Sequence, residues 1–211
     1  MCQYDFIDGS LTDLSGNGYN LASGGYSFST VNDRFSGSNA IYFPGTNNGW
    51  LYYQGSFPVL GSSDRTISVW VNFPATGGGI AASIGGLGCN AIYALGVTLS
   101  SICIYGNCGG VNTFCVDIAI SADTWHHVVA STINSYSYVY LDGKRVGSGP
   151  KHIFNTGNSK ILVGAALHDN SYSFWGWFRG SIDDVRIYVG GLNADYVNQL
   201  FTGRSTGQFA A

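Results

Sequence analysis

Three sets of residues in the chain are of types that bind or transform other molecules. The first is rich in oxygen. Asp13-Leu14-Ser15-Gly16-Asn17-Gly18 is a tight loop whose glycines let carbonyls turn inward. Asp183 and Asp184 stand side by side in strand-like sequence. Mixed carboxylate and carbonyl oxygens, six to eight at about 2.3–2.6 Å, are the donor set that Ca2+ takes. Consecutive strand residues point to opposite faces, so one of the two aspartates is expected to point inward. A bare carboxylate there is costly unless a metal or a guanidinium such as Arg186 or Arg179 compensates it. Without a metal, Asp13 would close an Asx-turn.

The second set is aromatic. The stretch from His168 to Phe178 carries Tyr172, Phe174, Trp175, Trp177 and Phe178, with Asp169, Asn170 and Ser171 to supply hydrogen bonds. Asn47-Asn48-Gly49-Trp50, followed by Tyr52 and Tyr53, is a second cluster. Ligand sites of this kind combine ring faces with a few polar groups, and sugars offer C–H surfaces to such rings. Trp50, Asp169, Asn170, Tyr172 and Trp175 are the residues expected to face a ligand. The competing role for large rings is core filling; Trp70, Trp125 and the start of the last strand at Trp177 or Phe178 are assigned to it.

The third set is catalytic in type. His126 and His127 are adjacent in strand sequence and should face opposite sides, one toward the core and one toward the surface. No Gly-x-Ser-x-Gly elbow accompanies them. All 12 acidic residues are Asp, so the Glu that most glycosidases, His-Glu metalloproteases and deaminases place at the proton-transfer step is missing. Asp183 and Asp184, as neighbours, cannot face each other across a substrate. The expectation is a protein that is not an enzyme.

The elements that must position these residues are strands. Among 211 residues, 31 are Gly, 14 Tyr, 12 Phe and 5 Trp, a composition of short strands and many tight turns. Hydrophobic residues make up 45%, enough for a substantial core. The net charge of −3 excludes a sequence-independent nucleic-acid binder, which needs a basic stripe. No apolar run reaches the ~18 residues that span a bilayer. In 66–73, Ile67, Val69 and Val71 share one face and Ser68, Trp70 and Asn72 the other. Residues 136–141, Asp142-Gly143 and 144–146 form a hairpin whose turn residues suit type I′. Residues 40–43, 125–133, 160–166 and 181–189 read as further strands, and 193–201 as the one short helix, with Asn193 as N-cap and Gly203 as its stop. Turn signals every 8–12 residues predict an all-β, antiparallel two-sheet sandwich of ten or more strands. Residues 1–211 read as a single domain, cut from a longer secreted protein.

Five cysteines bear on the compartment: Cys2, Cys89, Cys103, Cys108 and Cys115. Four paired cysteines allow three connectivities. If 102–105 and 111–120 are strands of one hairpin centred on Gly109, Cys103 and Cys115 are opposite each other, which leaves Cys89 to Cys108. Zinc is the rival reading, but no Cys-x-x-Cys knuckle is present; reduced core thiols are another. Cys2 has no assigned partner. Disulfides place the domain outside the cell or on its surface.

Several segments, in order, resemble the laminin-G-like jelly rolls of the concanavalin A-like lectin/glucanase superfamily. They are Tyr4-Asp5-Phe6 with 11–18, Ala40-Ile41-Tyr42-Phe43-Pro44-Gly45, Thr66-Ile67-Ser68-Val69-Trp70-Val71, Trp125-His126-His127-Val128-Val129 with Val139-Tyr140-Leu141-Asp142-Gly143-Lys144, and 180–188. The chain departs from the family at 85–115, a Cys/Gly-rich hairpin, and at 168–178, with its extra aromatics. The resemblance implies a jelly-roll sandwich. It also implies a structural Ca2+ between the opening loop and the last strand, held by Asp13, Gly16, Asn17 and Asp183 or Asp184. The function it points to is a non-catalytic extracellular recognition module that binds a glycan or a glycosylated cell-surface or matrix partner through rim loops, with no nucleic acid and no membrane insertion. The alternative is an adhesion or spacer domain that binds protein.

Overall fold

Alternating apolar and polar positions give each strand one face to bury, and the chain satisfies this by stacking two antiparallel sheets. The computed structural model describes residues 1–24, 27–35, 39–47, 49–86, 88–106, 112–134, 136–150, 154–157, 159–167 and 174–203. The strands are β1 (Cys2–Tyr4), β2 (Ala22–Ser23), β3 (Ser29–Asn32), β4 (Asn39–Pro44), β5 (Leu51–Phe57), β6 (Arg65–Asn72), β7 (Gly79–Gly85), β8 (Ile92–Val97), β9 (Ser101–Tyr105), β10 (Thr113–Asp117), β11 (His126–Ile133), β12 (Tyr136–Leu141), β13 (Lys144–Pro150), β14 (Ser159–Val163), β15 (Ala166–Leu167), β16 (Phe174–Trp175) and β17 (Arg179–Val189). One helix, α1 (Ala194–Phe201), follows.

One sheet runs β13-β12-β11-β6-β17-β4-β3, with β1 added to β17; the other runs β10-β9-β8-β7-β14-β5-β2. Between them lie Ile67, Val69 and Val71 of β6, Val128 and Ala130 of β11, and Ile182, Val185 and Ile187 of β17. The facing sheet contributes Leu51, Tyr93, Leu95, Ile102, Ile104, Ile161 and Val163. Each fully buried aliphatic side chain of this kind contributes roughly 1.5–3 kcal/mol.

The local readings hold in detail. Asp142 and Gly143 take φ of 50° and 75°, both positive as a type I′ turn requires. The Asn193 Oδ1 caps α1 by accepting from the Tyr196 N–H at 3.1 Å. Phe178 is fully buried, while Trp177 stays partly exposed ahead of β17. One core assignment needs correction, and the other holds but on a different face of its sheet. Trp125 is only half-buried, because it precedes β11 instead of lying within it. Trp70 is buried, but on the outer face of its sheet, where Phe201 of α1 stacks on it at 5.6 Å.

Cys103 and Cys115 are direct partners of β9 and β10 and form a disulfide with Cα atoms 4.1 Å apart. Cys89 is also disulfide-bonded, but its expected partner Cys108 lies outside the described residues. Cys2 is a buried free thiol. The 103–115 bridge closes a short loop and ties down the edge strand β10, so the loop-entropy relation assigns it about 3 kcal/mol. Replacing both cysteines with serine is expected to lower the urea-unfolding free energy by about that amount; an unchanged midpoint would show that the sheet edge does not need the bridge.

Candidate functional site

The outer face of the seven-stranded sheet carries aromatic rings toward both ends of an apolar row. Thr113, Tyr105, Ala94, Ser83, Leu162, Tyr52 and Ala22 stand in one row across all seven strands. Their strand neighbours point into the core, so this row faces out. Ile80, Ile92, Ala94 and Leu162 make an apolar floor there, and the small hairpin β15–β16 lies on it through Ala166 and Leu167. Trp50, Tyr52, Tyr105 and Trp175 pack on this floor, each half-buried. Tyr105 meets Trp175 edge to face at 5.3 Å, and Trp50 meets Trp177 at 5.6 Å.

Two glycines make room for these rings. A Cβ on Gly24 would lie 2.1 Å from the Trp50 indole, and one on Gly96 would lie 2.6 Å from the Tyr105 ring. The hairpin is held from both sides: the Trp175 Nε1–H donates to the Leu167 carbonyl at 3.0 Å, and the Ile80 N–H donates to the Gly176 carbonyl at 2.7 Å. Trp50 and Trp175, expected at a ligand, are therefore brought to one surface. Asp169, Asn170 and Tyr172 lie outside the described residues. Tyr105 and Trp177 were missed by sequence reasoning. Tyr105 alternates with Ile102 and Ile104, a period-two signal that puts it outside; Trp177 was assigned to the last strand, which begins two residues later.

The acidic residues follow a different logic from the one expected. Asp183 and Asp184 do not point to opposite faces. A β-bulge lies between Asp183 and Arg186, and Asp184 takes a left-handed φ of 43°. Ile182 and Val185 face the core on either side, and both carboxylates turn outward onto Arg34. The Arg34 Nη1 lies 2.6 Å from Asp183 Oδ2, and its Nη2 lies 3.3 Å from Asp184 Oδ2. The Arg186 Nε approaches Asp184 Oδ1 at 2.7 Å. The Arg34 guanidinium also lies over the Trp70 ring at 4.3 Å. Arg186 was an expected partner; Arg34, about 150 positions away in sequence, carries no local signal.

Asp13 is occupied as well. Its Oδ1 accepts from the Gln3 and Ser15 N–H groups, each at 3.0 Å. Its Oδ2 accepts from the Ser15 hydroxyl at 2.8 Å and the Tyr19 N–H at 3.1 Å. Burial acts to raise its pKa, but these bonds outweigh burial and hold the carboxyl below its usual range. The Asn17 amide donates to the Met1 carbonyl at 3.0 Å, and Gly16 supplies the positive φ that the turn needs. Among the described residues no three His, Cys or Asp side chains converge as a metal site. The set Asp13, Gly16, Asn17, Asp183 and Asp184 does not fit a calcium ion: hydrogen-bond donors fill one carboxylate and guanidinium groups neutralise the other two.

The histidines are both buried, and not divided between core and surface. The His127 Nε2 pairs with the Ser68 hydroxyl at 2.8 Å, and the His126 Nδ1 with Asp142 Oδ2 at 2.9 Å. His127 lies against Trp70 and Phe201, and its Nδ1 has no hydrogen-bond partner. Ser68 and His127, each about 1% exposed, cannot be reached by a substrate.

The family model described as the concanavalin A-like lectin/glucanases superfamily, of laminin-G type, matches residues 35–198. No curated protein matches the sequence. Among solved structures, domain 4 of the extracellular arabinanase AbnA from Geobacillus stearothermophilus, solved with arabinotriose, superposes with a TM-score of 0.71 at 20% identity, covering 94% of this chain and 96% of that one. The binding domain of Paraclostridial Mosquitocidal Protein 1 gives 0.70 at 17% identity, covering 96% of this chain and 52% of that one. The botulinum neurotoxin serotype G binding domain gives 0.70 at 16%, covering 97% and 51%. The chain thus spans about half the length of those toxin domains.

Two predictions follow from the polar clusters. Because Asp13, Asp183 and Asp184 are already partnered, EDTA is expected to leave the melting temperature unchanged, and added Ca2+ likewise; a calcium-dependent rise that Asp13→Asn abolishes would show that the loop at 13–18 binds the ion. The second concerns pH. Burial pushes His127 from 6.5 down to about 4. Burial also pushes Asp183 from 3.8 up to about 7, against the pull of Arg34. Between pH 6.5 and 4 the unfolded chain protonates His127 and the fold does not, so acidification costs up to about 3 kcal/mol through this group. Asp183 acts in the opposite sense, since the fold takes up its proton first. Relative to wild type, Asp183→Asn is expected to lose more stability between pH 7 and pH 4, and His127→Gln less, in urea melts at each pH. Parallel behaviour of all three proteins would contradict this assignment.

Proposed function

The chain belongs to the laminin-G-like branch of the concanavalin A-like lectin/glucanase superfamily, and from that membership we propose that it is an extracellular, non-catalytic module that binds carbohydrate. The observation that carries this reading is the line of half-buried rings Tyr105, Trp175, Trp177 and Trp50 on the outer face of the seven-stranded sheet. Rings held at fixed positions and left partly open offer apolar faces to the C–H surface of a sugar at little entropic cost. The surface lies on the sheet beside the β15–β16 hairpin, which itself supplies Trp175.

Three further points support the reading. The arabinanase domain of the same fold was solved with an arabinotriose, and several other matches are binding domains of toxins. The groups that would serve catalysis are used elsewhere: Ser68 and His127 are buried against each other, and Asp183 and Asp184 are clasped by Arg34. The 103–115 disulfide suits an oxidising compartment, and among the described residues no helix is long and apolar enough to cross a membrane.

A glycan-array screen, with calcium and again with chelator, tests the proposal. Specific binding in both conditions is expected. Trp177→Ala should weaken it roughly tenfold or more (about 1.4 kcal/mol) with the thermal melt retained. A blank array in both conditions would sink the carbohydrate reading and shift weight to adhesion through protein contacts.

A further inference from the structure

We propose that the ring line is a two-subsite platform for an extended, uncharged glycan chain, with Tyr105–Trp175 as one subsite and Trp50–Trp177 as the other; this rests on the carbohydrate-binding reading above. The rings form two pairs, not one cluster, with centroid separations of 5.3 Å and 5.6 Å. In each pair one ring comes from the sheet side and lies over a glycine, Gly96 or Gly24. The other comes from the segment Trp175-Gly176-Trp177. Gly176 takes a φ of 68°, so the chain turns between the two indoles, and each reaches a different partner. A Cβ at Gly176 would lie 2.3 Å from Ile80, which fixes this turn against the floor.

The sheet-side rings of the two pairs, Tyr105 and Trp50, sit toward opposite ends of the row, while their other rings, Trp175 and Trp177, are two residues apart. Tyr105 stands on β9 and Tyr52, two residues after Trp50, stands on β5; four strand spacings separate them, about 19 Å. A single terminal sugar cannot touch both Tyr105 and Trp50 across that span, whereas a chain of several units can. Charge narrows the class. Among the described outward positions of this sheet, Lys160 and Asp117 are the charged ones, flanking the core residues Ile161 and Val116. Arg179, two residues after Trp177, stands on β17 with its stem against Gly45. A sialic or uronic acid is best held by a guanidinium fork at the site; here Lys160 is the one cation among the described outward positions of the sheet, a single ammonium without a fork beside an otherwise apolar floor, which fits an uncharged chain.

Calorimetry on linear neutral oligosaccharides of increasing length (arabinan, xylan, mannan and β-glucan series), beside sialylated glycans, tests this. In the series that binds, affinity should climb with length, and the shortest ligand should bind weakly at two sites per chain while the longest binds at one. Trp50→Leu and Tyr105→Leu should each remove the gain from length, roughly tenfold or more, and leave the shortest ligand bound at one site. If either variant fails to fold, Trp50→Phe and Tyr105→His, which keep a ring, should show the same loss in smaller measure. Equal affinity from disaccharide upward, or a preference for an acidic glycan, overturns the two-subsite proposal and leaves carbohydrate binding standing. Failure of every carbohydrate to bind overturns both.

Discussion

The segment 176–179 is the part on which both halves of the molecule depend. Within four residues the chain passes from the outer face of one sheet into the other sheet, and its backbone is bonded at Gly176, Phe178 and Arg179. The Gly176 carbonyl accepts from Ile80, the Phe178 N–H donates to Gly164, and Arg179 and Gly78 exchange a pair of bonds at 2.9 and 3.0 Å. Phe178 then enters the core against Phe43 and Phe73. Peptide groups at such a crossing must find partners once water is excluded, and here they fix the two indoles that precede the strand. The position of Trp175 and Trp177 is therefore a consequence of core assembly, not of a free loop.

From Arg179 the same segment continues as β17, which pairs with β6, β4 and β1. Its bulge at Asp183–Asp184 follows from a conflict between alternation and charge. Strict alternation would have driven one carboxylate between the sheets among Ile182, Val185 and the aromatics. One extra residue with a left-handed backbone removes that burial, and Arg34 binds both carboxylates on the outside. The clasp also sets Arg34 over Trp70, beside the ring of Phe201 from α1. The outer face of the eight-stranded sheet is closed in this way by ion pairs and stacked rings. On the outer face of the other sheet the β15–β16 hairpin covers part of the floor, and among the described residues the rings Trp50, Tyr52, Tyr105 and Trp175 there remain partly open.

Much of the architecture was legible because strand alternation is a local property. The buried row Ile67, Val69 and Val71, the Asp142-Gly143 turn, the Asn193 cap and the facing cysteines 103 and 115 each depend on residues near one another in sequence or on simple register counting. The candidate site was half legible. Trp50 and Trp175 stood out by type and by turn-rich surroundings. Tyr105 did not, since a lone tyrosine between Ile104 and Gly106 becomes a site residue only when a hairpin some 70 positions later is laid beside it.

The sequence by itself determined a low-charge, glutamate-free, antiparallel sandwich with a short terminal helix, because composition and period-two patterning act over a few residues. Only the tertiary structure decided which side chains meet. It gave Arg34 to Asp183 and Asp184, filled the Asp13 carboxylate with N–H donors, and split the four rings into two pairs. These outcomes depend on the register of strands far apart in the chain and on the desolvation of buried charge, and neither is written in any local stretch of residues.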